Sequence, residues 1–263
     1  MEFSDNVSVD RFHAGRIQVL QPKNGYRAAI DPVFLAAALD VPKHGSRLLD
    51  AGCGAGVASL CAASLVQALP KGKCNAASFS GIDIDRDMLD LASKSVSLNA
   101  LDAGDISMQV SRTDIAEPAS WPTAGCWDQV FSNPPYLEAD RASGKARPRV
   151  DAANMETTVR LSEWITFMDI MVKPKGRLVL IHRADRLSEI VSIFRDKGIG
   201  SIDVFPLWPK DGVAAKRVIV RGRKGVRSAD RMLPGMVLHD SEGSYTAQAA
   251  AVLNGQAWLP FGI

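Results

Sequence analysis

The chain has 263 residues, of which 46% are hydrophobic, so it can bury the core of one large domain or of one domain with additions. Its formal net charge of +2 permits a nucleic-acid partner without requiring one. Four cysteines without Cys-x-x-Cys spacing and four scattered histidines argue against a disulfide framework, a metal site and a His-based triad. Residues 1–20 hold no apolar signal segment and no run approaches a membrane span, so we expect a cytoplasmic protein with no membrane contact.

Residues 10–45 are predicted to form an N-terminal extension. Residues 12–20 and the stretch to residue 27 predict a hairpin with its turn near residues 22–25. Asp31-Pro32 predicts the start of a helix, with Asp31 as N-cap and Pro32 at the first position. The apolar residues that follow give this helix a buried side. A lid or a packing element without a catalytic part is the alternative interpretation of this extension.

Residues 48–56, Leu-Leu-Asp-Ala-Gly-Cys-Gly-Ala-Gly, form an apolar run that ends in alternating glycines, and residues 57–69 then show a helical pattern. This is the order strand, tight turn, helix. Glycines allow positive φ angles and let a ligand approach the main chain, and the helix that follows offers unpaired N–H groups. The turn therefore suits an adenosine-containing cofactor, although an ordinary βα turn explains the glycines equally well without further support.

Residues 78–85 provide such support, because they predict a strand that ends in carboxylates. A carboxylate at the tip of the neighbouring strand can accept both hydroxyls of a ribose, and we assign this role to Asp83. Asp85 is predicted to cap the helix Arg86–Leu98. An inserted polar loop at residues 70–77 and the spacing Gly-x-Gly-x-Gly both argue against a nicotinamide enzyme.

Two further turns follow predicted strands. Residues 106–110 precede Asp114, which could meet the amine of an adenine or be a solvated loop residue. Asn133-Pro134-Pro135-Tyr136 comes directly after the predicted strand Trp127–Ser132. Two prolines are unfavourable inside a sheet or a helix, so here they indicate a rigid turn at a strand end.

The later elements continue the alternation. Residues 158–172 predict a helix whose apolar residues, Trp164 among them, we interpret as core only. Residues 177–182 predict a strand, residues 187–194 mark a helix that ends at Gly198, and residues 202–207 and 217–221 predict the last two sheet strands. A tail with Val-Leu-His-Asp and Gly-Ser-Tyr-Thr follows at residues 237–246, before a short helix to residue 253.

The order of Asp50 with its glycines, then Asp83, then Asn-Pro-Pro-Tyr resembles Rossmann-like S-adenosylmethionine-dependent methyltransferases that act on planar amide or amine nitrogens. The N-terminal pattern from Gln21 to residue 36 and the tail pattern at residues 237–246 are similar to those of the bacterial tRNA1(Val) adenine-N6-methyltransferases, and together the resemblance spans about residues 21–255. The resemblance implies S-adenosyl-L-methionine as cofactor and the N6 amine of adenine in RNA, in tRNA near the anticodon, as the methyl acceptor.

The residue types fit this chemistry. The Asn133 side-chain oxygen and the Pro134 carbonyl can each accept one N–H of the amine, which turns the nitrogen lone pair toward the methyl group. Tyr136 can stack on a flipped base. Positioning and electrostatics should supply most of the catalysis, without a strong base. A cationic segment at residues 141–149 lies beside this turn in sequence, and phosphate contact competes with a plain solvated loop as its interpretation.

The implied fold class is α/β: a mostly parallel seven-stranded sheet with helices on both faces and a C-terminal antiparallel hairpin. The implied division is an N-terminal extension at residues 1–45, a methyltransferase domain at residues 46–225 and a packed tail at residues 226–263. The expected catalytic residues are Asn133, Pro134, Pro135 and Tyr136. The expected cofactor-binding residues are Asp50, Gly52, Gly54, Gly56, Asp83, Asp114 and Asn133. The expected RNA-binding residues are Arg141, Lys145, Arg147, Arg149, Arg221, Arg223 and Lys224, helped by Arg227.

Three alternatives remain. A protein glutamine methyltransferase acting on translation release factors also uses Asn-Pro-Pro-Tyr, but those enzymes usually carry a separate helical N-terminal domain. A non-catalytic cofactor-binding module would have little reason to keep that motif. A DNA adenine methyltransferase would call for a target-recognition domain, and no segment of this sequence indicates one.

Overall fold

The computed structural model describes residues 6–25, 27–70, 72–74, 76–101, 104–135 and 159–261. At its N-terminus, strands β1 (Val7–Phe12) and β2 (Ile17–Pro22) pair antiparallel. The hairpin therefore lies earlier than predicted: its turn begins at His13, and Gly15 takes a φ of 87° while its N–H donates to the Phe12 carbonyl. Pro22 ends the ladder, where its missing N–H costs no internal hydrogen bond.

Helix α1 (Asp31–Ala37) begins one residue earlier than predicted, because Ile30 occupies the N-cap position and Asp31 is already helical. The Asp31 carboxylate accepts a hydrogen bond from Arg217 Nε at 2.8 Å. The helix is buried on all sides from Pro32 onward, and not on one side only.

The central sheet contains five parallel strands in the first part of the chain. They are β3 (Ser46–Ala51), β4 (Ala77–Asp83), β5 (Ile106–Arg112), β6 (Trp127–Ser132) and β7 (Val172–Arg183). Four helices connect or follow them: α2 (Val57–Gln67), α3 (Arg86–Leu98), α4 (Leu161–Met171) and α5 (Leu187–Asp196). The carboxyl ends of β3, β4 and β6 meet at one side of the sheet, which we call the carboxyl edge.

Strands β8 (Ile199–Trp208) and β9 (Arg217–Lys224) complete the predicted sheet, and β9 runs antiparallel to both β7 and β8. Two short strands, β10 (Arg231–Met232) and β11 (Met236–Val237), pair with β8. Within the described residues, nine strands thus form one sheet. Eight of them follow the order β10-β8-β9-β7-β6-β3-β4-β5, and β11 pairs with β8 beside this path. The mostly parallel sheet and its C-terminal antiparallel hairpin are confirmed, and the tail lengthens the sheet by the two short strands.

Alternate sheet residues point to opposite faces, and each face is covered by helices. Leu48 and Phe131 belong to a buried cluster with α1 and α2, whereas Leu49 and Val130 belong to a cluster with α4 and α5. Burying each such side chain contributes about 1.5–3 kcal/mol. Both faces are therefore apolar, which explains why these strands read as continuous hydrophobic runs.

The described part of the tail packs on the first cluster. Helix α6 (Ala247–Leu253) is capped by Thr246 Oγ1, which accepts from Ala249 N at 3.2 Å, and it places Ala249 and Val252 in that cluster together with residues of α1. The Leu259 N–H donates to the Ala37 carbonyl at 2.8 Å. The tail thereby covers the side of α1 that the sequence pattern leaves open. Among the described helices, none is both long and apolar enough to cross a bilayer.

Candidate active site

The turn after β3 is held in shape by glycines and by the end of β4. Gly52, Gly54 and Gly56 have φ angles of 71°, 52° and 83°, which L side chains rarely adopt. The N–H groups of Gly52 and Cys53 both donate to the Ile82 carbonyl, at 2.8 and 2.9 Å. We call residues 51–56 the glycine loop; its main chain is fixed before any ligand arrives.

Packing gives the glycines different reasons to lack a side chain. A Cβ placed on Gly52 would lie 2.7 Å from Trp164 Cζ2, and one on Gly56 would lie 2.9 Å from Met108 Cε. A Cβ on Gly54 would meet only an ordinary contact, 3.5 Å from Met88 Cε. Gly54 and Gly52 are partly exposed, so ligand atoms can approach this part of the main chain.

Asp83 faces the glycine loop from the end of β4. Its Oδ2 accepts from Gly54 N at 2.8 Å and its Oδ1 accepts from Asp85 N at 3.0 Å. Burial raises the pKa of Asp83, and these backbone hydrogen bonds partly oppose the shift. Because a carboxylate oxygen can accept about two hydrogen bonds, one acceptor site remains on each oxygen, as a ribose diol requires.

Asp85 caps α3, as predicted. Its Oδ1 accepts from Asp87 N at 2.9 Å and from Met88 N at 3.2 Å. The two neighbouring acids are thereby separated by role: Asp83 points into the loop, and Asp85 completes the helix.

Asp50 lies beneath the glycine loop, with only 2% of its surface exposed. Its Oδ2 accepts from Ser59 Oγ, in the first turn of α2, at 2.8 Å. Burial raises the pKa of Asp50 to about 7, with the charge of Asp83 adding to the shift and the Ser59 hydrogen bonds opposing it. The structure shows Asp50 joining β3 to α2; its direct contact with the cofactor stays a prediction.

Asp114 follows β5 in a turn that is tied to the site through Thr113, whose N–H donates to the Asp83 carbonyl at 2.9 Å. The Asp114 Oδ1 accepts from Ala116 N at 2.8 Å, and its N–H donates to Ser120 Oγ at 3.0 Å. Asp114 is therefore near Asp83, with one carboxylate oxygen engaged in its own turn. A contact with the adenine amine stays a prediction.

Asn133, Pro134 and Pro135 leave the sheet at the carboxyl edge. Ser132, the last residue of β6, is the register partner of Ala51, the last residue of β3. Asn133 is half-buried, Pro134 is buried and Pro135 is exposed. We call residues 133–135 the proline turn, which thus starts beside the glycine loop. Tyr136 lies outside the described residues.

Ser132 and Trp164 are site residues that sequence reasoning missed. The Ser132 hydroxyl donates to the Ala51 carbonyl at 2.7 Å, and Trp164 Nε1 donates to Ser132 Oγ at 2.7 Å. We predicted Trp164 to be a core residue only, and its burial agrees, but its indole also touches the loop at Gly52. Periodicity cannot separate these roles, because both require a buried aromatic residue.

The RNA-binding prediction is wrong for Arg221, because this residue is 4% exposed. Its guanidinium donates to the Ala38 carbonyl at 2.8 Å, pairs with Asp40 at 3.1 Å and with Asp203 at 3.5 Å, and stacks 3.8 Å from the centroid of the Phe261 ring. The guanidinium therefore lies inside the fold, where its Nε is buried without a hydrogen-bond partner among the described residues and out of reach of a phosphate on the surface.

Arg223 and Lys224 are half-buried and lie away from the proline turn. Arg223 is level with Arg177 in the ladder, and Arg177 is level with Gln129 near the start of β6, at the edge opposite Asn133. Lys224 Nζ donates to the Asp169 carbonyl and lies 3.5 Å from Asp169 Oδ1. The structure therefore does not bring these cations together with Asn133. Arg227 is exposed, and the segment with Arg141, Lys145, Arg147 and Arg149 lies outside the described residues.

Other cations stand at the carboxyl edge. Arg183 and Arg217 are register partners where β7 ends and β9 begins, and Lys216 beside them is exposed. Arg183 pairs with Asp185, and Arg217 pairs with Asp31. Their position follows from the antiparallel course of β9, which no local sequence pattern reveals.

Comparisons with known proteins match part of this chain to methyltransferases. Residues 29–153 match the family model of the methyltransferase small domain. A tRNA1(Val) (adenine(37)-N6)-methyltransferase from Glaesserella parasuis is 25% identical over 139 residues, which are 52% of this chain. The match spans 57% of the relative, less than two thirds of its length.

The fold is shared with solved methyltransferases. A predicted O-methyltransferase from Agrobacterium tumefaciens has a TM-score of 0.67 at 20% identity, over 86% of this chain and 97% of the other. An S-adenosylmethionine-dependent O-methyltransferase from Thermotoga maritima has a TM-score of 0.52 at 17% identity, over 79% of this chain and 69% of the other. These likenesses show the fold.

The family match supports a methyltransferase with S-adenosyl-L-methionine as its cofactor. The site fits this group: the glycine loop is preformed and partly exposed, and Asp83 keeps one acceptor site on each oxygen. Which residues touch the cofactor stays a prediction.

Proposed function

We propose that this chain is an S-adenosyl-L-methionine-dependent N-methyltransferase that acts on the N6 amine of adenine in RNA, in tRNA near the anticodon. The observation that carries the proposal is the adjacency of Asn133 to the glycine loop, which follows from the register pair of Ala51 and Ser132. The name of the Glaesserella relative supports the choice of acceptor. The tail pattern at residues 237–246 supports it as well.

The geometry of this edge supports a role for each residue. Asp83 is proposed to accept the ribose hydroxyls, and the glycine loop to receive the rest of the cofactor along its main chain. The Asn133 side-chain oxygen and the Pro134 carbonyl are proposed to accept the two N–H groups of the amine. The turn is rigid because both residues after Asn133 are prolines, so the acceptors are positioned before the substrate binds.

The cofactor, which the glycine loop and Asp83 would hold, would supply a methyl group on a positively charged sulfur. The chain itself needs to orient the amine and to stabilise the nitrogen as it becomes pyramidal. A strong base is unnecessary, because the leaving group is good and the attacking nitrogen loses its proton after the new bond forms.

Nucleoside mass spectrometry tests the proposal. We expect tRNA from a deletion strain to lack one N6-methyladenosine, and the purified protein with S-adenosyl-L-methionine to restore it. A release factor supplied as acceptor in a parallel reaction distinguishes glutamine methylation. If the release factor were methylated and the tRNA stayed unmethylated, the proposal would be contradicted. Cofactor binding without transfer to either acceptor would indicate a non-catalytic module.

A further inference from the structure

Trp164 contacts both halves of the candidate site from the first turn of α4. Its Nε1 donates to Ser132 Oγ at 2.7 Å. The edge of its six-membered ring lies against Gly52, where an added Cβ would be 2.7 Å from Cζ2 and 3.0 Å from Cη2. With 8% of its surface exposed, the indole is held by its surroundings. One side chain therefore joins the glycine loop to the strand that carries Asn133.

The hydrogen bond of Ser132 has a defined direction. Its hydroxyl has one proton, which goes to the Ala51 carbonyl at 2.7 Å, so the oxygen acts as acceptor toward the indole. Ser132 is fully buried, so water cannot take the place of Trp164 or of the Ala51 carbonyl as its hydrogen-bond partner unless a cavity opens. The chain of hydrogen bonds runs from Trp164 through Ser132 to Ala51. Ser132 directly precedes Asn133, and Ala51 directly precedes Gly52.

The loop is also held from the other side. The Gly52 and Cys53 N–H groups donate to the Ile82 carbonyl, so Gly52 lies between β4 and the indole. Asn133 follows Ser132 directly, and its backbone direction depends on where Ser132 is held. One aromatic ring and one hydroxyl thus add to the β3–β6 ladder in fixing the relative position of the loop and the proline turn.

We propose that Trp164 is a positioning residue that, through Ser132, sets the distance between the proline turn and the glycine loop. This inference rests on the proposed function, because a methyl transfer between groups bound at these two turns depends on that distance. Reacting atoms must lie about 3–3.5 Å apart, and a misplacement of about 1 Å can cost about 10²-fold in rate. The indole does not itself touch the reacting atoms.

Two substitutions separate the hydrogen bond from the bulk of the ring. Trp164→Phe keeps an aromatic ring but removes the N–H donor, and Ser132→Ala removes the hydroxyl. Trp127→Phe is the matched control: Trp127 is also buried, in the same strand as Ser132 but at its other end, and its Nε1 donates to the Thr123 carbonyl at 3.1 Å. Trp164→Phe and Trp127→Phe each lose one indole hydrogen bond, and Ser132→Ala loses both hydrogen bonds of its hydroxyl, but only the changes at Trp164 and Ser132 lie beside the site.

The first measurement is the single-turnover rate of methyl transfer to tRNA, together with the affinity for S-adenosyl-L-methionine from calorimetry. Trp164→Phe should slow transfer by about tenfold or more while the cofactor affinity changes by less than about threefold. Trp127→Phe should transfer at the wild-type rate. The double variant Trp164→Phe/Ser132→Ala should be no slower than Ser132→Ala alone, because both changes break the same chain of bonds.

The second measurement follows the side-chain amide of Asn133 by ¹⁵N NMR, which reports the proline turn whatever the acceptor is. Its resonances should move in Trp164→Phe and Ser132→Ala and stay in place in Trp127→Phe. Unmoved Asn133 resonances, or equal slowing by the control, would overturn the proposal. Moved resonances in a protein whose wild-type form methylates no RNA adenine would leave the positioning role standing and reject the proposed function.

Discussion

Asp83 shows how a single side chain can be prepared for a ligand. Two backbone N–H groups orient its carboxylate while leaving one acceptor site on each oxygen. Ionised hydrogen bonds of this kind contribute more than neutral ones, because the charge strengthens both contacts.

We therefore expect Asp83→Ala to weaken S-adenosyl-L-methionine binding by about 1.5–3 kcal/mol, as measured by calorimetry. Asp85→Ala is the control: it removes a helix cap and should lower the free energy of unfolding by about 1 kcal/mol without changing cofactor affinity. Equal affinities of Asp83→Ala and the wild type would move the ribose-binding role to another residue.

Asn133 is expected to act in the transfer step. Asn133→Ala should lower the single-turnover rate by about 10²–10³-fold and leave cofactor affinity nearly intact, because its oxygen matters most as the nitrogen becomes pyramidal. Asn133→Asp keeps an acceptor oxygen and should retain partial activity. A wild-type rate in Asn133→Ala would remove this residue from the mechanism.

The raised pKa of Asp50 predicts how the free energy of unfolding changes with pH. Its folded pKa of about 7 lies above the ordinary value of 3.8, so the protonated form is favoured in the folded state. Its contribution to folding is most favourable below about pH 4, decreases as the pH rises through about 7, and is constant above that. Asp83, whose pKa is also raised, contributes with the same sign.

Urea unfolding of Asp50→Asn between pH 4 and pH 8 tests this dependence. The variant should gain stability relative to the wild type as the pH rises, by at most about 4 kcal/mol, since one pKa unit corresponds to about 1.4 kcal/mol. Parallel curves for the two proteins would show that Asp50 ionises as easily in the folded state as in the unfolded chain.

Among the elements, the glycine loop depends on both backbone conformation and packing. Gly52 and Gly45 have similar φ angles, 71° and 75°, but only Gly52 has a neighbour within reach of a Cβ. The two positions therefore separate conformational strain from steric conflict.

We expect Gly45→Ala to lower the free energy of unfolding by about 1–2 kcal/mol, the cost of a left-handed conformation. Gly52→Ala should lower it further and also weaken cofactor binding, because the methyl group conflicts with the Trp164 ring. Chemical unfolding and calorimetry measure the two effects. If both variants bound the cofactor like the wild type, contact of Trp164 with the loop would be irrelevant to binding.

Across the whole molecule, a network of ion pairs around the buried residues Arg221 and Asp203 ties the described part of the tail to the sheet. Arg221 on β9 pairs with Asp203 on β8 and with Asp40 after α1, and Arg231 Nε donates to Asp203 at 2.8 Å. Arg231 also donates to the Phe261 carbonyl at 2.9 Å. The charges are shared across segments that are far apart in sequence, so they hold the fold and not a ligand.

Arg221→Ala should accordingly lower the free energy of unfolding by about 1.5–3 kcal/mol, because Asp203 and the Ala38 carbonyl lose a charged hydrogen-bond donor while Asp203 keeps Arg231 as a partner. Arg223→Ala, at a half-buried position in the same strand, should cost no more than about 1 kcal/mol. Chemical denaturation distinguishes the two. Loss of RNA affinity in a fully folded Arg221→Ala protein would restore the original assignment of this residue.

The sequence by itself determined the α/β fold, the main strands and helices between residues 46 and 225, the glycine loop and the proline turn. These features are local: glycine and proline restrict the backbone, apolar periodicity marks the helices, and Asp85 caps the helix beside it. The hairpin turn was misplaced because Pro22 also suits a strand end, and the tail strands β10 and β11 were missed because two residues carry no periodicity.

Only the tertiary structure decided which of the sequence-marked residues meet. Arg221 looks like a free cation in the sequence, and its partners lie 18 and 181 residues away. Trp164 looks like any core residue, and its contact with Gly52 depends on how α4 crosses the carboxyl edge. Charge pairing and packing arise between segments that are distant in sequence, so only the folded arrangement can separate a buried ion pair from a phosphate ligand, or a positioning residue from the core.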